Sequence, residues 1–156
     1  MDTIQLIIGA VVWLAITFGA AFLGTRYLPD EWYKQIRKPT WNPPNKIFAP
    51  VWSVLYLLMA IAAWLVWKHN DLTETILPLT LFIVQLLLNA AWTWLFFGRH
   101  RLDTALMDIV VLWLVILTVI ILFWGVEPLA GILLVPYLAW VSFATFLNYT
   151  ILRLNR

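Results

Sequence analysis

The chain has 156 residues, 63% apolar and 12% charged, with 10 Lys and Arg against 8 Asp and Glu. That balance excludes an ordinary soluble domain, and a net charge of +2 calls for no nucleic-acid partner. With no cysteine, disulfides, thiolate catalysis and Cys-ligated metal or iron–sulfur sites are excluded as well.

A helix needs about 20 apolar residues to cross a hydrocarbon core. Five windows of roughly that length lack Asp, Glu, Lys and Arg. The first runs from Thr3 to Thr25; Met1-Asp2 supplies no positive leader and the run is too long for a signal core, so a retained helix is expected. Residues 26–46 form a polar, proline-bearing segment, and the second window follows from Ile47 to Trp67. The third runs from Thr75 to Gly98. The fourth, Ile109 to Val126, extends back to about Thr104, because the Asp103-Thr104 pair reads as a helix N-cap. The fifth runs from Pro128 to Leu152. Uninterrupted apolar runs are not the alternating segments of a membrane barrel. The prediction is an all-α integral membrane protein, a five-transmembrane-helix bundle forming a single domain over 1–156.

Nine of the ten basic residues, Arg26, Lys34, Arg37, Lys38, Lys46, Arg99, Arg101, Arg153 and Arg156, fall on one side of these helices, and only Lys68 on the other. Basic loops face the cytoplasm, so the N-terminus is expected outside and the C-terminus in the cytoplasm; the charge count and short chain fit a bacterial inner membrane, with a mitochondrial outer membrane as the alternative.

The 26–46 segment is then cytoplasmic. Pro39, Pro43 and Pro44 stiffen it and prevent a continuous helix, while Trp32, Tyr33 and Trp41 give it aromatic bulk. Composition allows two readings: a lid over the bundle, or aromatic anchors at the headgroup level. At its end, in WNPPNKIFAPVW from Trp41 to Trp52, Asn45 can cap the next helix, and Pro50 is tolerated in a first turn. Trp41 and Trp52 are expected to flank the mouth of any cavity beneath.

Polar side chains within the spans are few. Gln85 and Asn89 lie four apart, with Phe82, Trp92 and Phe96 extending the same face. Phe48, Trp52, Tyr56 and Met59 recur at helical spacing in the second span; Pro136, Trp140, Ala144, Leu147 and Asn148 line one side of the fifth. These stripes read either as bundle packing with amide hydrogen bonds between helices or as the walls of one cavity. Ala60, Ala63, Ala90, Ala91 and the Ala15, Gly19 pair read as close-packing residues. Asp108 sits near the start of its helix, which argues against an ion-coupled carboxylate relay. His69 and His100 lie in loops, leaving no intramembrane imidazole for haem or zinc, and Ser53 and Ser142 have no histidine partner. What remains is a large flat apolar ligand, held by tryptophan stacking and a few hydrogen bonds, with no cofactor.

The run W-Y-x-x-x-x-K-P-x-W-x-P-P-x-x-x-F-x-P-V-W-x-x-L-Y from Trp32 to Tyr56 resembles the translocator protein family, also called the peripheral benzodiazepine receptor or tryptophan-rich sensory protein family. The likeness continues in Q-x-x-x-N-x-x-W-x-x-x-F-F from Gln85 to Phe97 and in PYLAWVSFATFLNY from Pro136 to Tyr149, and 11 tryptophans fit the family's name. The resemblance implies a five-helix bundle whose first loop folds over a pocket as a lid. It further implies binding of porphyrins such as protoporphyrin IX and of isoquinoline carboxamide or benzodiazepine ligands, often by a homodimer. Carried over by position, the ligand-binding residues are Trp32, Tyr33, Pro43, Pro44, Phe48, Trp52, Asn89, Trp92, Trp140, Ala144 and Leu147. A sterol pattern is matched by Leu147, Tyr149 and Arg153. Two functions follow from the resemblance: a binding protein that senses, sequesters or transports tetrapyrroles, or light- and oxygen-dependent degradation of bound protoporphyrin with Trp52 and Trp140 as redox partners.

Overall fold

In hydrocarbon no water completes a backbone hydrogen bond, so the chain must satisfy its amides within helices. The computed structural model, which describes all 156 residues, does this: 100 of 121 backbone bonds lie inside helices. These are α1 (Thr3–Gly24), α2 (Glu31–Gln35), α3 (Phe48–Trp67), α4 (Leu72–Thr93), α5 (Leu102–Val126) and α6 (Pro128–Leu154). All but the short α2 are long and apolar enough to cross a membrane, which makes the protein the all-α five-helix membrane bundle its sequence implies. Side chains close the helix ends. Asp2 and Gln5 form a reciprocal capping box on α1, Asp71 accepts from the Thr73 amide ahead of α4, and Pro128 occupies the first turn of α6.

The helices form a ring in which α1 packs on α3, α3 on α6, α6 on α5, α5 on α4, and α4 back on α1. Because every spanning helix is apolar around its circumference, the inward face is set by shape and not by polarity. Ala60, Ala62 and Ala63 of α3, Ala105 of α5 and Ala130 of α6 are buried at the crossings, whereas Ile4, Leu87, Met107 and Ile121 point outward. Phe82 stacks on Phe123 (5.9 Å) and meets the edge of Trp13 (5.8 Å) in the main core. The Trp64 indole donates to the Leu6 carbonyl at 2.9 Å and ties α3 to α1.

Four local expectations change. The segment between α1 and α3 contains a helix, α2, started by Asp30, whose side chain accepts the Tyr33 amide. Asn45 makes no capping bond; a 3-10 turn, Asn45–Ile47, leads into α3 instead. Helix α5 begins at Leu102, before the Asp103-Thr104 pair, because the Asp103 carboxylate is engaged by the Arg101 guanidinium and does not cap. Ala15 and Gly19 lie on the exposed face of α1, and a Cβ added at Gly19 would meet nothing within 4 Å.

Gly9 differs from Gly19. A Cβ there would fall 2.0 Å from the Trp67 ring, so the α1–α3 contact requires glycine. Gly9→Ala is expected to destabilise the bundle by about 1–3 kcal/mol through overpacking, read as a lower thermal midpoint in detergent, while Gly19→Ala leaves that midpoint within error.

Candidate functional site

The last turn of the α4 span departs from α-helical geometry. Residues Trp94–Gly98 form a π-helical turn closed by the Arg99 amide on the Trp94 carbonyl at 2.7 Å. Such wide turns recur at functional sites. Here the turn brings Phe96 and Phe97 to 4.7 Å from each other and both within 6.0 Å of Trp92, making an aromatic floor at one end of the ring. The next two corners are tight: Tyr27 packs where Gly98 lacks a side chain, and His100 adopts a left-handed φ of 55°.

Helix α2 rests on this floor. Tyr33 is buried against Phe97 (5.3 Å) and Phe96 (6.1 Å), and Leu147 of α6 belongs to the same cluster. Trp32 meets the edge of Phe96 at 6.1 Å. The Tyr33 hydroxyl lies 3.3 Å from the Asn42 amide nitrogen, and the Lys38 ammonium donates to the Tyr33 and Ile36 carbonyls, closing the C-terminal end of α2. Burial pushes the Tyr33 phenol above its usual range, with the Asn42 bond offsetting part of that rise, so it stays a neutral donor at physiological pH.

Deeper in the ring, Phe48 meets Trp140 at 6.2 Å, and Trp140 meets Trp52 edge-on at 6.3 Å. Trp52 continues to Tyr56 (5.7 Å) and Tyr137 (6.4 Å). Below them runs a hydrogen-bonded chain between α4 and α6: Asn89 donates to the Tyr137 hydroxyl at 2.8 Å, and that hydroxyl donates to Gln85 at 2.7 Å. The Trp92 indole donates to Asn148 at 3.0 Å, and Asn148 donates to the Leu102 carbonyl at 3.1 Å.

Of the residues expected from the sequence, Trp32, Tyr33, Trp92 and Leu147 come together around α2, and Phe48, Trp52 and Trp140 form a second group. Ala144 packs against the main core, and Asn89 is buried in the polar chain. Pro43 is buried while Pro44 is exposed. Leu147 faces inward and Tyr149 outward, with the Arg153 guanidinium 5.7 Å from the Tyr149 ring, so the three sterol-pattern residues do not share a face. Only Trp52 of the bracketing pair enters the ring; Trp41 is 42% exposed and stacks on Phe146 at 5.5 Å along the outside of α6.

Sequence reasoning missed Tyr137. It assigned Pro136 to the inner stripe of α6, but Pro136 is exposed and the neighbouring tyrosine points inward. The steps of three and four from Tyr137 to Trp140 and Ala144 held the signal. Two open clefts, of about 240 and 450 Å³, lie at the opposite end of the ring around Trp13, Trp67 and Asn70, and contain none of the expected residues. Asp108, in the second turn of α5, has one carboxylate oxygen buried without a partner.

Five membrane-spanning helices with a short helix packed across one end of the ring, and indoles, phenols and amides gathered at that end, define a class of integral membrane protein. Its family can be stated: residues 5–154 match the TspO/MBR family, and the chain belongs to it. It is 41% identical over 139 residues to Protein CrtK of Rhodobacter capsulatus, covering 87% of this chain and 86% of that one. Over 139 residues it is 40% identical to the Translocator protein of Homo sapiens (86% and 82% covered). Over 145 residues it is 39% identical to the Tryptophan-rich sensory protein of Cereibacter sphaeroides (93% and 90%).

Removing the shared hydroxyl tests the polar chain. Tyr137→Phe leaves the buried Asn89 donor and Gln85 acceptor without their partner, and an expected loss of about 1–3 kcal/mol should appear as a lower melting temperature. Tyr56→Phe, whose hydroxyl joins no such chain, should change it far less.

Proposed function

We propose that this protein is a membrane receptor for porphyrins, protoporphyrin IX among them, and for flat aromatic ligands of the isoquinoline carboxamide or benzodiazepine type. It senses, sequesters or transports tetrapyrroles, a reading in keeping with the words "translocator" and "sensory" in its relatives' names. The observation that carries the reading is the contiguous set Phe48, Trp52, Trp140 and Tyr137 beneath a lid whose own aromatics rest on Phe96 and Phe97. Ligand enters when α2 lifts, stacks between indole faces, and finds hydrogen-bond partners in Asn89 and Tyr137. Nine of the ten basic residues lie at the lid end, which suits the anionic carboxylates of a natural porphyrin.

The same reading puts the lid end and the C-terminus in the cytoplasm of a bacterium, with the bundle in the inner membrane. It also includes a homodimer, for which the exposed Ala15 and Gly19 surface of α1 permits close approach of a second copy. The edge contact of Trp52 with Trp140 favours one alternative, in which both indoles are redox partners in the light-dependent degradation of bound protoporphyrin, with oxygen as the oxidant.

Dark titration of the detergent-solubilised protein with protoporphyrin IX, followed by tryptophan quenching, decides the binding reading. Saturable quenching is expected, weakened at least severalfold in Trp92→Ala; linear, non-saturating quenching contradicts it. On illumination, Trp52→Phe and Trp140→Phe should retain binding. A discrete product spectrum that disappears in these variants supports the degradation alternative, and unchanged bleaching removes it.

A further inference from the structure

The end of the ring opposite α2 has its own opening, which shares no residue with the proposed porphyrin site. Its two clefts, of about 240 and 450 Å³, have Trp13, Trp67 and Asn70 in common and so meet between α1, the end of α3 and the start of α4. Helices α1 and α4 make the sparsest seam of the ring. Leu72 and Ile76, on the cleft wall, are 75% and 59% exposed, so the opening faces the surrounding lipid as well as the membrane surface.

The lining is graded along the helix axes. Gln5, Asn70 and Asp71 stand at the mouth, where Asn70 turns the corner into α4 with a left-handed φ of 59°. Leu79 and Ile83 line the wall further along α4, about 12–18 Å deeper at the rise of an α-helix. The hydroxyls on that wall are already used: Thr75 donates to the Asp71 carbonyl at 2.9 Å and Thr80 to the Ile76 carbonyl at 2.6 Å. At the mouth the reverse holds. The Trp67 indole N–H and the Asn70 side-chain amide have no partner within the protein, and Asp71 spends only Oδ1, on the Thr73 amide and hydroxyl.

Charge selects what can sit there. Asp2, Asp71, Glu74 and Glu127 lie at this end against Lys68 alone among the lysines and arginines. The Lys68 ammonium is turned over the Trp64 ring at 5.2 Å, and Glu127 meets His69 at 3.2 Å. Asp71 is thus a free negative charge in the cleft wall, which repels an anion and attracts a cationic group.

We infer that the joined clefts bind one zwitterionic phospholipid. Its ammonium faces the free oxygen of Asp71, its phosphate and ester oxygens accept from Trp67 and Asn70, and one acyl chain lies along Trp13, Leu79 and Ile83. Indole at the membrane interface suits this division, with an apolar body and a polar N–H. The lipid fills the seam where α1 and α4 touch least. This site is independent of the receptor reading, because anionic porphyrin carboxylates are disfavoured at this end.

Native mass spectrometry of the detergent-solubilised protein, incubated with dioleoyl phosphatidylethanolamine or with dioleoyl phosphatidylglycerol, counts the lipids retained. One phosphatidylethanolamine per chain is expected, retained about two- to fivefold better than phosphatidylglycerol, the range for an exposed ion pair. Asp71→Asn keeps the helix cap and should bring that ratio close to one. Ile76→Trp fills the cleft from an exposed position and should lower retention severalfold, whereas Leu77→Trp, 56% exposed and outside the lining, should leave it unchanged. Equal retention of the two lipids by the wild type, a preference that survives Asp71→Asn, or retention indifferent to Ile76→Trp overturns the inference. So does a lipid-free dimer that Ile76→Trp breaks, which would give the clefts to a second copy of the chain. No porphyrin enters this measurement, so a failure of the lipid site and a failure of the receptor reading are separately visible.

Discussion

Helices α4 and α6 are not neighbours in the ring, yet the shared hydroxyl of Tyr137 joins them. Within a bilayer, apolar side chains gain nothing by leaving lipid for one another, so the helix arrangement relies on close packing and on the few polar groups that must find partners. Tyr137 bonds both Asn89 and Gln85, one helical turn apart on α4, and so fixes the rotation of both helices at once. One turn further on, Trp92 and Asn148 repeat the link and extend it to the Leu102 carbonyl of α5. With α4 and α6 held in register, Trp92 and Trp140 pack against the core, and the indole and phenol surfaces at this end of the ring are fixed relative to one another.

Helix α2 depends on that register indirectly. Its docking platform is the π-helical turn that ends the α4 span, and the rings of Phe96 and Phe97 receive Tyr33 only because the wide turn presents both to the same side. Helix α2 is too short to be stable alone. It exists because Asp30 starts it, Lys38 closes its far end, and Tyr33 is buried beneath it. The contacts that hold this five-residue helix are separate from those that hold the spanning helices to one another.

The spans were legible because backbone satisfaction in lipid demands long uninterrupted apolar runs, and such runs contain few ambiguous residues. The family was legible because the aromatic and proline spacings from Trp32 to Tyr56, and again around Asn89 and Trp140, are unusually specific. Helix rotation was harder. An apolar helix facing lipid on one side and protein on the other has little polarity contrast, so the inner stripe of α6 was read one residue out, at Pro136 instead of Tyr137. The π-helical turn in WLFFG carries no sequence signature, and the contact of His100 with Asp30 was hidden because the two stand 70 residues apart. Trp41 looked like a mouth residue from its spacing to Trp52, but Phe143 and Phe146 offered it a surface on the outside of α6.

In the proposed receptor, ligand reaches the aromatic cluster only when α2 lifts. The chain lacks cysteine, so Arg37→Cys and Asn155→Cys, replacing a pair already in contact, can be joined by a short cleavable thiol-reactive bridge with no competing reaction. Stopped-flow quenching by protoporphyrin IX should then show association at least tenfold slower in the bridged protein, with the wild-type rate restored when the bridge is cleaved. Association at the same rate in bridged and cleaved protein would contradict entry beneath the lid.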